Sequence, residues 1–130
     1  MRTIAFEEID AFKAASGLAV VLYVLPDCPS CTVLGQAITL AQEGLAQEGL
    51  ADEARLARVV LNMPAVRRLR QTQNIAKYPT YSVFMDGTLV ATYQGCRRAA
   101  PEVLSEDIRR TLQQALTGAG SPLDAWTTPP

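Results

Sequence analysis

The chain contains no histidine and only three cysteines, and its net charge is close to zero at −1. Each shortage excludes something. Without histidine, and without a second Cys-x-x-Cys pair, a tetrahedral zinc site cannot be completed from the usual ligands. Three cysteines are too few for a secreted scaffold built on disulfides. A near-neutral balance gives no global case for nucleic acid or for a charged membrane surface as partner. Long apolar runs are missing too. The longest, residues 18–25, has eight residues and cannot cross a bilayer. Near the start, Glu7, Glu8 and Asp10 interrupt any signal-peptide core. These absences lead us to expect a soluble cytoplasmic protein, with neither nucleic acid nor membrane among its partners. What remains is 130 residues, 48% of them hydrophobic, enough for one domain with a real core. The charges are unevenly spread. Residues 1–53 hold eight acids and two bases, and residues 54–98 hold eight bases and one acid.

Chemistry concentrates in Cys28-Pro29-Ser30-Cys31. The pair follows the apolar run directly and precedes a helical pattern. A strand that delivers such a pair to a helix N-terminus is the setting of a redox-active dithiol. The first helical turn leaves N–H groups unpaired and carries partial positive charge, which favours a thiolate at Cys28. Pro29 suits the first helical position, where its missing N–H has no partner to lose. The spacing keeps both sulfurs on one turn, so Cys31 is placed to resolve a mixed disulfide on Cys28. A fixed disulfide or half of a metal site is the structural alternative.

The remaining elements follow from periodicity and turn chemistry. A short edge strand is expected over residues 3–6 and a helix over 6–15, ended by Ser16-Gly17. Residues 18–25 suit a central strand buried on both faces. A long helix from Pro29 runs into a tandem repeat, Ala41-Gln42-Glu43-Gly44-Leu45 and Ala46-Gln47-Glu48-Gly49-Leu50, read as a small duplication at its end. Residues 55–62 predict a second buried strand and 64–72 a helix. Residues 79–85 and 88–93 predict strands joined by Asp86-Gly87, a strong hairpin signal. A last helix is expected over 101–116. Gly- and Pro-rich residues 118–130, with Trp126, are expected to form a loose tail after a domain of residues 1–117. The order is βαβαβαββα: parallel strands alternating with helices, an antiparallel edge added by the hairpin, and helices on both faces.

This order, with its motif after the first long strand, resembles the thioredoxin family over roughly residues 3–116. The residues that carry the likeness are 20–31, then Val60-Leu61-Asn62-Met63, then 75–87 with Gly95 beyond. The resemblance implies a thioredoxin fold, an α/β architecture around a central mixed sheet. It implies a cis bond at Tyr78-Pro79-Thr80, with Pro79 beside the dithiol. The backbone of Tyr78, with Thr80 and Gly95 adjacent, would then pair with an extended substrate segment. Pro79 would also stand where a metal would approach the sulfurs, so no metal is expected. There are departures. Asp27, not Trp, precedes Cys28, and Pro-Ser rather than Gly-Pro separates the cysteines. The family's buried Asp falls on Leu22 and its partnering Lys on Val60.

The implied function is thiol–disulfide exchange on protein disulfides by a monomer without a cofactor of its own. Cys28 is the nucleophile and Cys31 the resolving thiol, with a thioredoxin-reductase-type flavoenzyme or glutathione as reductant. The alternative is a binding module of the same fold with little turnover. Asp27 and Ser30 are expected to tune Cys28, one by repulsion and one by a hydrogen bond. Lys77 and Arg97 or Arg98 are expected to flank the dithiol and hold substrate carboxylates. Cys96 is expected near Cys28 and Cys31, either as a small apolar packing residue or, if it is exposed, as a third redox group whose thiolate Arg97 and Arg98 favour and whose partner is glutathione.

Overall fold

A computed structural model describes residues 1–49 and 54–117. The expected tail with Trp126, and Leu50 at the end of the repeat, lie outside the described residues.

Among the described residues, five strands form one sheet in the order β1-β3-β2-β4-β5. They are β1 (Arg2–Thr3), β2 (Leu18–Val24), β3 (Ala54–Val60), β4 (Thr80–Met85) and β5 (Thr88–Gln94). Four helices pack on it: α1 (Ile9–Ala14), α2 (Pro29–Gln47), α3 (Met63–Gln73) and α4 (Pro101–Thr117). β2 is the central strand, and every residue of it is buried. Its alternation divides the core in two. Leu18, Val20, Leu22 and Val24 face α2 and α4, together with Leu34, Ile38, Leu104 and Ile108. Ala19, Val21 and Tyr23 face α1 and α3, with Ile9, Ala65 and Leu69. Each fully buried Leu or Ile contributes roughly 1.5–3 kcal/mol. Helices therefore cover both faces, as a strand apolar on both sides requires.

Three expectations change. The helix over residues 6–15 splits into a 3-10 turn at Phe6–Glu8 and the short α1. Arg55 closes it: its guanidinium donates to the carbonyl oxygens of Phe12, Ala15 and Ser16. β3 is only partly buried: Ala54 and Leu56 pack into the α2/α4 core, while Arg58 and Val60, further along the same face, are exposed. The largest change is direction. β4 is antiparallel to β2, not parallel, and the parallel part of the sheet is β1, β3 and β2. The register gives the reason. Val60, at the end of β3, pairs with Val24, and Thr80, at the start of β4, pairs with Tyr23. Residues 61–79 therefore return the chain to the end of the sheet that it left. The short α3 does not carry it back to the far end, as a right-handed crossover would.

The hairpin forms as expected, with Asp86 at φ 52° and Gly87 at φ 83°. Asp86 also locks the turn before β2: Gly17 N–H donates to its Oδ1 at 2.7 Å. Gly44, a weak residue inside α2, has a packing reason. A Cβ there would lie 2.9 Å from Arg109 Cδ of α4, and Arg109 crosses at that point to reach Glu48.

Candidate active site

The dithiol sits at the corner where β2 hands the chain to α2. Asp27 takes a left-handed conformation, φ 52°, and Cys28 is extended as the N-cap of α2. Cys28 Sγ accepts the N–H of Cys31 at 3.2 Å, one of the donors that the first turn leaves over. Ser30 Oγ lies 3.5 Å from the same sulfur. Cys28 and Cys31 are joined by a disulfide with 5.2 Å between their Cα atoms. Cys28 is half-buried, while Cys31 is only 5% exposed and packs into the α2/α4 core. The outer sulfur is thus the accessible one.

At the same end of the sheet, where Thr80 at the start of β4 pairs with Tyr23, lies the Tyr78–Pro79 bond, which is cis. Gly95, at φ 85°, donates its N–H to Pro79 O at 2.8 Å and ties the end of β5 to this loop. Thr80 is buried and its hydroxyl donates to Lys77 O. One residue that sequence reasoning passed over builds the loop. Gln94 accepts the N–H groups of Ala76 and Lys77 through Oε1 and donates from Nε2 to Asn74 O. Nothing local in the sequence marks it, because its partners lie on a separate loop.

The other expected charges are placed less favourably. Arg97 is ion-paired with Asp107 of α4, so its charge is already engaged. Lys77 and Arg98 are exposed. Cys96 and Cys28 pack against the same core cluster, and the environment of Cys96 suits the packing reading better than a favoured thiolate. Cys96 is half-buried, and burial pushes its thiol up while Arg97 only partly opposes this.

On the opposite flank, a depression of about 640 Å³ is lined by Pro26, Asp27, Cys28, Cys31, Arg58 and Val60. Arg58 was not expected here. The signal available in sequence was a single cation interrupting the α2-facing alternation Leu56, 58, Val60 of β3. A larger groove of about 860 Å³ between α1 and α3 contains neither cysteine, so the chemistry points to the smaller one.

No family model and no curated protein matches the chain by sequence. Solved structures do match it. Thioredoxin from Malassezia sympodialis is 16% identical with a TM-score of 0.56, over 95% of this chain and 91% of that one. Oxidised thioredoxin from Plasmodium falciparum is 14% identical with a TM-score of 0.63, over 89% and 98%. Human ERp44 in its zinc-bound form is 22% identical with a TM-score of 0.61, but 86% of this chain covers only 32% of that one. At these identities it is the fold that is shared: with its mixed sheet, its two helical layers and its cysteine pair at the start of α2, this chain has the thioredoxin fold.

Proposed function

We propose that the protein is a thiol–disulfide oxidoreductase acting on protein disulfides. The observation that carries this reading is a half-buried cysteine at a helix N-terminus, disulfide-bonded to a buried one three residues on, in a chain whose cis-proline loop opens the strand paired with β2. As a thiolate, Cys28 attacks one sulfur of a substrate disulfide. That S–S bond breaks, and one substrate sulfur leaves and takes a proton from solvent. Cys31 then loses its proton and attacks Cys28 Sγ, which releases the second substrate sulfur. The protein ends with the Cys28–Cys31 disulfide, and two electrons from a flavoenzyme reductase or from glutathione restore the dithiol. Tyr78, Pro79, Thr80 and Gly95 form the edge against which an extended substrate segment aligns.

Insulin reduction by dithiothreitol tests this directly. The protein should accelerate it, Cys28→Ser should fall to the uncatalysed rate, and Cys31→Ser should accumulate mixed disulfides. A wild-type protein no faster than dithiothreitol alone would remove the enzyme reading in favour of a docking module on the same edge.

A further inference from the structure

The second step of that exchange needs Cys31 deprotonated, and Cys31 sits in an unhelpful place. It is 5% exposed and shares a core cluster with Leu22, Val24 and Leu34. Leu22, the β2 residue on that face one turn of alternation below Val24, is fully buried and offers no proton acceptor. The register of the parallel pair sets Arg58 of β3 directly beside Leu22. Arg58 lines the 640 Å³ depression with Cys28 and Cys31. It also lines a second one, of about 520 Å³, with Cys31, Thr32 and Glu102. Its guanidinium is held in place: Nε and Nη2 donate to Thr3 Oγ1 at 3.3 and 3.1 Å. No carboxylate pairs with it among the described residues.

Resting on the dithiol reading above, we infer that Arg58 is a positioning residue for the resolving step, holding Cys31 as a thiolate by its charge in place of a proton-accepting side chain. The charged groups that line these depressions beside Arg58 are Asp27, from the loop before α2, in the first, and Glu102, from α4, with the amino group of Met1, before β1, in the second. β2 contributes only apolar residues on that side. Arg58 is the cation common to both depressions, and the two carboxylates oppose it. In the step itself the Cys31 proton passes to solvent. The thiolate bonds to Cys28 Sγ, the Cys28–substrate bond breaks, and the departing substrate sulfur takes up a proton from solvent. No further oxidant or reductant is consumed.

Rapid mixing of the reduced protein with a neutral aromatic disulfide, dithiodipyridine, separates the steps. Attack by Cys28 releases the first pyridinethione, and resolution by Cys31 releases the second. Cys31→Ser, which keeps the first phase and loses the second, identifies them. In Arg58→Gln the second phase should slow about tenfold near neutral pH and its pH midpoint should rise by about one unit, as for loss of a nearby opposite charge. Arg58→Lys should restore most of both. Thr3→Val, which frees the guanidinium but keeps its charge, should give a smaller shift in the same direction. Asp27→Asn and Glu102→Gln should move the midpoint the other way, and added salt should narrow every gap. An unchanged midpoint in Arg58→Gln, or equal slowing of both phases, would overturn the inference and leave the dithiol chemistry standing. Absence of both phases in the wild type would overturn the two together.

Discussion

The two flanks of the Cys28–Cys31 pair are built from different materials. On the β4/β5 flank the protein presents main chain: the cis Tyr78–Pro79 bond, the Gly95 N–H on Pro79 O, and Gln94 bracing the loop from behind. On the β3 flank it presents side chains: Val60, half exposed, and Arg58, anchored through Thr3. Backbone geometry tolerates few substitutions, because it is fixed by hydrogen bonds and by conformations that only certain residues adopt. Exposed side chains on a strand face change more freely. In the proposed exchange the first flank sets where a substrate chain lies, and the second is where charge and apolar contact around the sulfurs are adjusted.

The comparison breaks most visibly at Gly95. Gly95→Val forces a branched residue into the left-handed region and should cost at least about 1–2 kcal/mol. The denaturant midpoint should fall with the m-value unchanged. Insulin and small disulfides should lose activity alike, since the cis-proline loop that Gly95 ties to β5 moves. A variant as stable and active as wild type would show that the main-chain flank is not the rigid one.

The side-chain flank should answer differently. Val60→Ser should leave stability within about 0.5 kcal/mol, as at other exposed positions. It should raise KM for insulin by roughly two- to fivefold through lost apolar contact, with kcat and the rate on dithiodipyridine unchanged. Equal effects on large and small substrates would mean that Val60 does not touch the protein substrate.

The smallest effect is expected at Asp27. Its left-handed backbone makes Asn, which tolerates that region, the clean replacement. Removing the negative charge beside Cys28 stabilises the thiolate and so the reduced form. Asp27→Asn should therefore shift the couple toward a more oxidising potential by about 10–30 mV. A shift toward reducing values in a glutathione buffer would show that the aspartate does not act through its charge.

Much of this site was legible because its signals are local. The apolar run ending in Cys28-Pro29-Ser30-Cys31 specifies a buried strand, a helix start and two sulfurs on one turn from a dozen neighbouring residues. Asp86-Gly87 specifies its hairpin from two. Strand direction was not local. β4 reads as a strand equally well either way up, and only its pairing with β2 turns it antiparallel. Charge was least legible of all. Sequence places Arg97 and Arg98 beside Cys96 and leaves Arg58 unremarked. Folding neutralises Arg97 with Asp107, ten residues on, half-buries Cys96, and brings Arg58 beside Leu22 and the dithiol from another strand.

By itself, then, the sequence determined most of the elements, the cysteine pair and the helix end that Cys28 caps, because propensity, capping and alternation act over a few residues. Only the tertiary structure decided which strand lies beside which, which cation stays unpaired among the described residues and which thiol is covered. Those depend on register and burial, where a shift of one residue changes the face and the partner of every side chain.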